Sequence, residues 1–144
     1  MTTVPIPEPA DDPVVRRHPV AAIAAGGMVG SLARGGLNLA LPVHPGAWPW
    51  PTFLVNVVGC LIIGVVVTRH DHYGAHHRWR PFLGTGLAGG LTTFSTLQVE
   101  TLNNLNAGHV ALAAGYVVVS ILLGLGAIAA STWGVHRWYE ERWS

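Results

Sequence analysis

The sequence predicts an all-α membrane protein with four transmembrane helices. Half of its 144 residues are hydrophobic and only 10% are charged, whereas about 25% of a soluble domain is charged. Each of four apolar segments approaches the roughly 20 residues that a helix needs to cross a bilayer. They are about Val20–Leu41, Pro51–Thr68, Pro81–Leu105 and His109–Trp133. Short connections join them and tryptophans flank them, as is typical of membrane interfaces.

The apolar segments define one four-helix membrane domain over residues 19–136, between two short ends. Residues 1–18 carry prolines and acids and have no apolar core of a signal peptide, so we expect a disordered cytoplasmic extension. Residues 137–144 form a short C-terminal tail. The net charge of +1 provides no basic face for nucleic acid. No catalytic motif indicates an enzyme, and Cys60 alone provides no disulfide framework.

The arginines predict how the chain is oriented in the membrane. With four spans, both termini and the middle loop share one side of the bilayer. That side carries Arg16, Arg17, Arg69, Arg78, Arg80, Arg137 and Arg142. The two opposite loops carry none, and Arg34 lies inside the first span. Because cytoplasmic loops are rich in arginine, we expect both termini in the cytoplasm and a single topology in the plasma membrane.

The third segment contains a stretch, Gly84–Glu100, that is a poor transmembrane helix. Four glycines are followed by four hydroxyl residues and an acid. Helix interiors disfavour glycine, and lipid disfavours unpaired polar groups. Broken, polar backbone occurs at membrane depth only where protein buries it or where it lines a cavity. The stretch is therefore the first candidate for a permeation pathway or a bound ion.

Several polar side chains in the spans could carry chemistry, and each has a plain structural alternative. Asn56 could donate to an anion or join two helices. Tyr116, Ser120 and Gly124 share one face of the fourth span, so the two hydroxyls are either a track of donors or satisfied interface groups. Phe94 could pack in a core, or its electropositive ring edge could face an anion.

Glu100 and Arg34 are the ionisable residues within the spans, and such residues are functional candidates by default. Glu100 lies near the end of its span, so placement at the membrane interface is an equal alternative. The middle loop, residues 70–77, contains four histidines and Asp71. These side chains could bind a transition metal, but a solvated loop at the membrane surface is the favoured interpretation.

The motifs of three spans resemble the CrcB/Fluc fluoride channels. They are GGMVGSLAR in the first span, NVVGCLIIG in the second and GGLTTFSTLQVE in the third. The resemblance implies an antiparallel dimer of four-helix subunits, with the third helix broken and two pores. By the same resemblance, these pores would pass fluoride passively out of the cell and lower its toxicity in the cytoplasm. It also implies a structural sodium ion (Na+) at the dimer interface, bound by the backbone carbonyls of Gly89 and Thr92.

The same resemblance assigns the pore. Its lining would include Asn56, Phe94, Tyr116 and Ser120, with the hydroxyls of Thr93, Ser95 and Thr96 as further contributors, and Glu100 matches an acid of the family. Fluoride is strongly hydrated, and a pore must replace its water with donors without trapping the ion. Hydroxyl and amide groups provide such donors, and a sodium ion would add positive potential.

Leu97 departs from the family motif, in which a second phenylalanine follows TTFST. A homodimer of this chain would have both pores altered, whereas a heterodimer would have one altered. The strong arginine asymmetry also opposes insertion in both orientations. We therefore expect an inverted paralogue as the second subunit. A non-conducting structural subunit and a four-helix proton-coupled exporter that uses Glu100 remain alternatives.

Overall fold

The computed structural model describes the backbone of residues 13–44, 46–73 and 79–143. It describes the side chains of residues 19–44, 46–69 and 79–141. These residues form helices and connecting turns, with no strand in the described ranges. Most of the predicted N-terminal extension, residues 1–12, lies outside the described part of the chain. The same holds for residues 74–77 of the histidine-containing middle loop and for residue 78.

Three of the helices are long and apolar enough to cross a membrane. Helix α1 is Pro13–Ala40, and its apolar part is Pro19–Ala40. Helix α2 is Trp50–Tyr73, with an apolar part at Trp50–Arg69. Helix α5 is Val110–Trp143, so it continues through the predicted C-terminal tail. The all-helical class predicted from the sequence is confirmed for the described residues, with three helices that could span a membrane.

The third predicted span is divided into shorter pieces. A π-helical segment, Pro81–Ala88, continues into α3, Gly89–Leu91, and α4 is Phe94–Asn106. Between α3 and α4 the backbone is extended, with ψ angles of 152° at Thr92 and 121° at Thr93. Neither piece alone has the length of a span. The extended residues lie within the stretch that the sequence marks as a poor helix.

Glycines bring α1 into direct backbone contact with the π segment and α3. A methyl group placed on Gly86 would lie 2.6 Å from the carbonyl oxygen of Ile23, and one on Gly90 would lie 2.5 Å from that of Gly27. Small residues permit this close approach between helices in lipid. The glycine runs of the first and third spans are therefore a packing surface.

Helices α2 and α5 form the second packed pair. Gly64 faces the hydroxyl of Ser131, and the Thr68 hydroxyl lies 3.3 Å from that of Thr132. Gly59 of α2 packs under the methyl group of Thr92, so α2 also contacts the extended link. Helix α2 thus lies between α5 and the interrupted third segment.

Candidate functional site

Asn56 of α2 binds both backbone groups of Thr93 in the extended link. Its Nδ2 donates to the Thr93 carbonyl over 3.1 Å, and its Oδ1 accepts from the Thr93 N–H over 2.8 Å. In an unbroken α-helix, that N–H would donate to the Gly89 carbonyl. The Asn56 amide therefore replaces a helical hydrogen bond, and it fixes the link against α2.

The Thr93 hydroxyl begins α4. Its Oγ1 accepts from the Thr96 N–H over 3.2 Å, which is an N-cap interaction. It also lies 3.2 Å from the Ser95 hydroxyl and 3.0 Å from the Thr96 hydroxyl. We call Thr93, Ser95 and Thr96 the hydroxyl cluster. Thr93 is buried, whereas Ser95 is exposed, so the cluster extends from the protein interior to its surface.

Glu100 lies one turn beyond the hydroxyl cluster and accepts two hydrogen bonds. The Thr52 hydroxyl donates to Oε1 over 2.7 Å, and the Tyr116 hydroxyl donates to Oε2 over 2.8 Å. Thr52 and Tyr116 are almost fully buried. The carboxyl group therefore joins α2, α4 and α5, and its role is not limited to placement at an interface.

Asn104 secures the end of α4 to the loop between α1 and α2. Its Oδ1 accepts from the Gly46 N–H over 2.9 Å, and its Nδ2 donates to the Glu100 carbonyl over 3.1 Å. Gly46 has a φ of 85°, a backbone conformation that glycine adopts readily. Since Asn104 is buried, these two bonds satisfy an amide that would otherwise be costly.

Phe94 lies apart from this interior network. It is 72% exposed, and together with Leu97 it lines an open groove of about 500 Å³ on α4. Val117 of α5 forms part of the same groove. The structure thus separates the candidate residues into an interior set around Asn56 and Tyr116 and a groove-lining pair, the exposed Phe94 and the half-buried Leu97.

The remaining candidates lie around these two sets. Gly89 is exposed and Thr92 is half-buried. The Ser120 hydroxyl is buried with no hydrogen-bond partner among the described residues. Arg34 is half-buried on α1, the helix that packs on the π segment and α3. The described residues contain no group of three or more His, Cys, Asp or Glu side chains that could hold a metal ion.

Two polar residues of the network were not predicted from the sequence. Thr52 precedes Asn56 by four residues, so the helical repeat places both on one face of α2 and gives a signal that points to it. Asn104 follows Glu100 by four residues and so lies on the same face of α4, but its bond to Gly46 joins residues 58 positions apart and has no local signal.

Comparison with known proteins identifies the family. The family model described as "CrcB-like protein, Camphor Resistance (CrcB)" matches residues 21–132. A Mycobacterium bovis protein named Fluoride-specific ion channel FluC 1 is 53% identical over 120 residues, which are 82% of this chain and 90% of that protein.

More distant relatives agree. A Streptomyces avermitilis protein named Fluoride-specific ion channel FluC 2 is 41% identical over 134 residues, covering 83% of this chain and 85% of that protein. A Nocardia farcinica protein of the same name is 39% identical and covers 94% of both chains. These relatives are named as channels and not as enzymes. With a family match over most of its length and relatives of this identity, the chain belongs to the CrcB-like family.

Proposed function

We propose that this chain is a subunit of a fluoride-specific channel that exports fluoride passively across the plasma membrane. The observation that carries the proposal is the network of hydroxyl and amide groups where the third segment is interrupted, in a chain similar to proteins named as fluoride channels. The π segment, α3 and α4 together form the third of four spans, broken at Thr92 and Thr93. Both termini then face the cytoplasm.

The polar network provides what a dehydrated fluoride ion needs. The hydroxyl cluster and the partnerless Ser120 hydroxyl offer donors that can replace water. The single O–H of Tyr116 donates to Glu100, so it can donate to fluoride only in exchange for that partner, whereas Asn56 Nδ2 carries a second N–H besides the one that donates to Thr93. Such an exchange keeps the ion from being held too tightly. The exposed ring of Phe94 offers a weakly attractive edge.

The interruption also suits a sodium ion held by backbone carbonyls. In an unbroken helix, the N–H groups of Thr93 and Thr96 would donate to the carbonyls of Gly89 and Thr92. Here they donate instead to Asn56 Oδ1 and Thr93 Oγ1. The two carbonyls predicted to bind sodium thereby lose their helical donors. A bound Na+ would supply a fixed positive charge beside the anion path.

The exposed groove at Phe94 and Leu97 supports a dimer. Phe94, Val99 and Leu102 of α4 are all more than half exposed. We propose that a second four-helix subunit, inverted relative to the first, covers this face. Leu97 and the arginine asymmetry favour a paralogue over a second copy, and the names FluC 1 and FluC 2 fit organisms that hold two such chains. A non-conducting role for this chain within such a dimer is the alternative.

Fluoride efflux from proteoliposomes tests the proposal. The chain is reconstituted alone, and then with a second CrcB-like chain from the same organism. We expect efflux only from the mixture, and we expect a loss of at least tenfold in Phe94→Ile. Phe82→Ile, the same substitution in the π segment, is the control and should retain efflux. Robust efflux from this chain alone would reject the heterodimer, while absence of efflux from every mixture would reject the channel.

The same assay separates a channel from a proton-coupled exporter. An exporter that uses Glu100 requires a titrating carboxyl group at that position. In a channel, Glu100→Gln still offers an amide oxygen to Thr52 or Tyr116, so we expect measurable fluoride flux. Proton movement coupled to transport in the parent chain, and lost in Glu100→Gln, would instead identify an exporter. Measuring pH inside the same vesicles records this coupling.

A further inference from the structure

Three cavities share Val65, near the C-terminal end of the apolar part of α2, and two of them also include Arg69. One, of about 410 Å³, lies between α2 and α5 and includes Val65, Arg69 and Trp138. A second, of about 70 Å³, lies between α2 and the start of the π segment. Arg69 and Arg80 both line this second cavity, and Trp79 lies beside them. Two arginines, Arg69 and Arg80, and two tryptophans, Trp79 and Trp138, thus line the first two cavities.

The second cavity continues toward the middle of the membrane. A third cavity, of about 280 Å³, shares Val65, Val66 and Leu83 with it. This third cavity is lined only by apolar residues and reaches Leu61 and Leu87. Leu61 lies eight positions before Arg69 on α2, or about 12 Å along the helix axis. The two cavities therefore form one groove that begins at two arginines and becomes wholly apolar.

The chemistry of the grooves indicates their occupant. No acidic residue of the described chain lines any of the three cavities. A charged headgroup that complements Arg69 and Arg80 must therefore be an anion. From these arginines, one apolar groove runs between α2 and α5, and another runs between α2 and the π segment. Tryptophan is enriched at the depth where lipid headgroups lie. Basic pockets between helices on the cytoplasmic side bind anionic headgroups.

We propose that the Arg69 end of α2 binds one anionic diacyl phospholipid. The phosphate lies between Arg69 and Arg80. One acyl chain occupies the groove between α2 and α5, and the other occupies the groove between α2 and the π segment. This site is separate from the interruption at Thr92 and Thr93, and it depends on membrane insertion but not on fluoride conduction.

Native mass spectrometry of the detergent-solubilised full chain tests the site. The protein is titrated with phosphatidylglycerol or with phosphatidylcholine of identical acyl chains. We expect one phosphatidylglycerol to bind in preference. In Arg69→Gln and Arg80→Gln we expect its affinity to fall about fivefold for each arginine removed. Arg137→Gln removes the same charge from α5, outside the three cavities, and is expected to change affinity less than twofold.

Further measurements distinguish a specific phospholipid site from general charge attraction and from a free-anion site. Equal binding of both lipids, or an equal loss in Arg137→Gln, would overturn the proposal in favour of general charge attraction. Competition by inorganic phosphate would show a free-anion site and would also overturn it. Val65→Trp fills the wall common to the three cavities while keeping both arginines. Because it blocks the acyl chains, it should reduce phosphatidylglycerol binding even if the arginine variants fail to fold.

Discussion

The side-chain amide of Asn56 replaces backbone hydrogen bonds that are lost where the third helical segment is interrupted. Thr93 is 7% exposed, so its N–H and carbonyl cannot depend on water. Asn56 offers one acceptor and one donor at the spacing of a peptide group, and Thr93 uses both. An unsatisfied buried polar group costs about 1–3 kcal/mol. The side chain is therefore structural in the single chain, whatever it also does for an anion.

Asn56→Asp should destabilise the protein by about 1–3 kcal/mol. The aspartate keeps the acceptor for the Thr93 N–H, but it places a second oxygen against the Thr93 carbonyl, where Nδ2 now donates. Thermal unfolding in detergent measures the effect. Asn103→Asp makes the same change at an exposed position of α4 and serves as the control. Equal midpoints in the two variants would show that the Asn56–Thr93 pairing contributes nothing to stability.

At the residue scale, the sequence identified members of the network but not their partners. Asn56 and Tyr116 stand out because amides and hydroxyls are conspicuous in apolar helices. Their pairing with Thr93 and Glu100 depends on how α2, α4 and α5 pack, which local sequence does not determine. Phe94 stood among hydroxyls in the sequence, yet it is exposed and separate from the interior network.

The contact of α1 with the π segment and α3 depends on the absence of side chains along one line. We expect Gly86→Ala and Gly90→Ala each to destabilise the chain by about 1–3 kcal/mol, because the new methyl group meets the backbone of α1. Unfolding in a denaturing detergent titration measures the change. Gly35→Ala, on α1 itself, meets nothing within 4 Å and should be neutral or stabilising by up to about 1 kcal/mol.

The two outcomes of this comparison exclude each other. If Gly35→Ala destabilised as much as Gly86→Ala, helix flexibility and not close packing would explain the glycines.

The apolar runs predicted the limits of the first and second spans to within several residues. They did not predict the π segment, because the spacing of apolar residues over eight positions cannot distinguish it from an α-helix.

At the scale of the whole molecule, the distribution of arginines along the chain bears on both its membrane topology and its assembly. An antiparallel homodimer requires one sequence to insert in both orientations, and a bias of seven arginines to none opposes this. Among the described side chains, three of the seven are exposed and have no role in the network around Glu100. They are Arg69, Arg80 and Arg137. In the proposed dimer, a different chain would then cover the groove at Phe94 and Leu97.

C-terminal reporter fusions test this orientation. Green fluorescent protein fluoresces only in the cytoplasm, and alkaline phosphatase is active only outside it. We expect the parent chain fused to green fluorescent protein to fluoresce, and the parent chain fused to alkaline phosphatase to show no activity. Replacing the arginines of the middle loop and the C-terminus by glutamine leaves Arg16 and Arg17, so both reporters should then give a signal. Phosphatase activity in the parent chain would show dual insertion. A homodimer would then be possible, and Leu97 would line both of its pores.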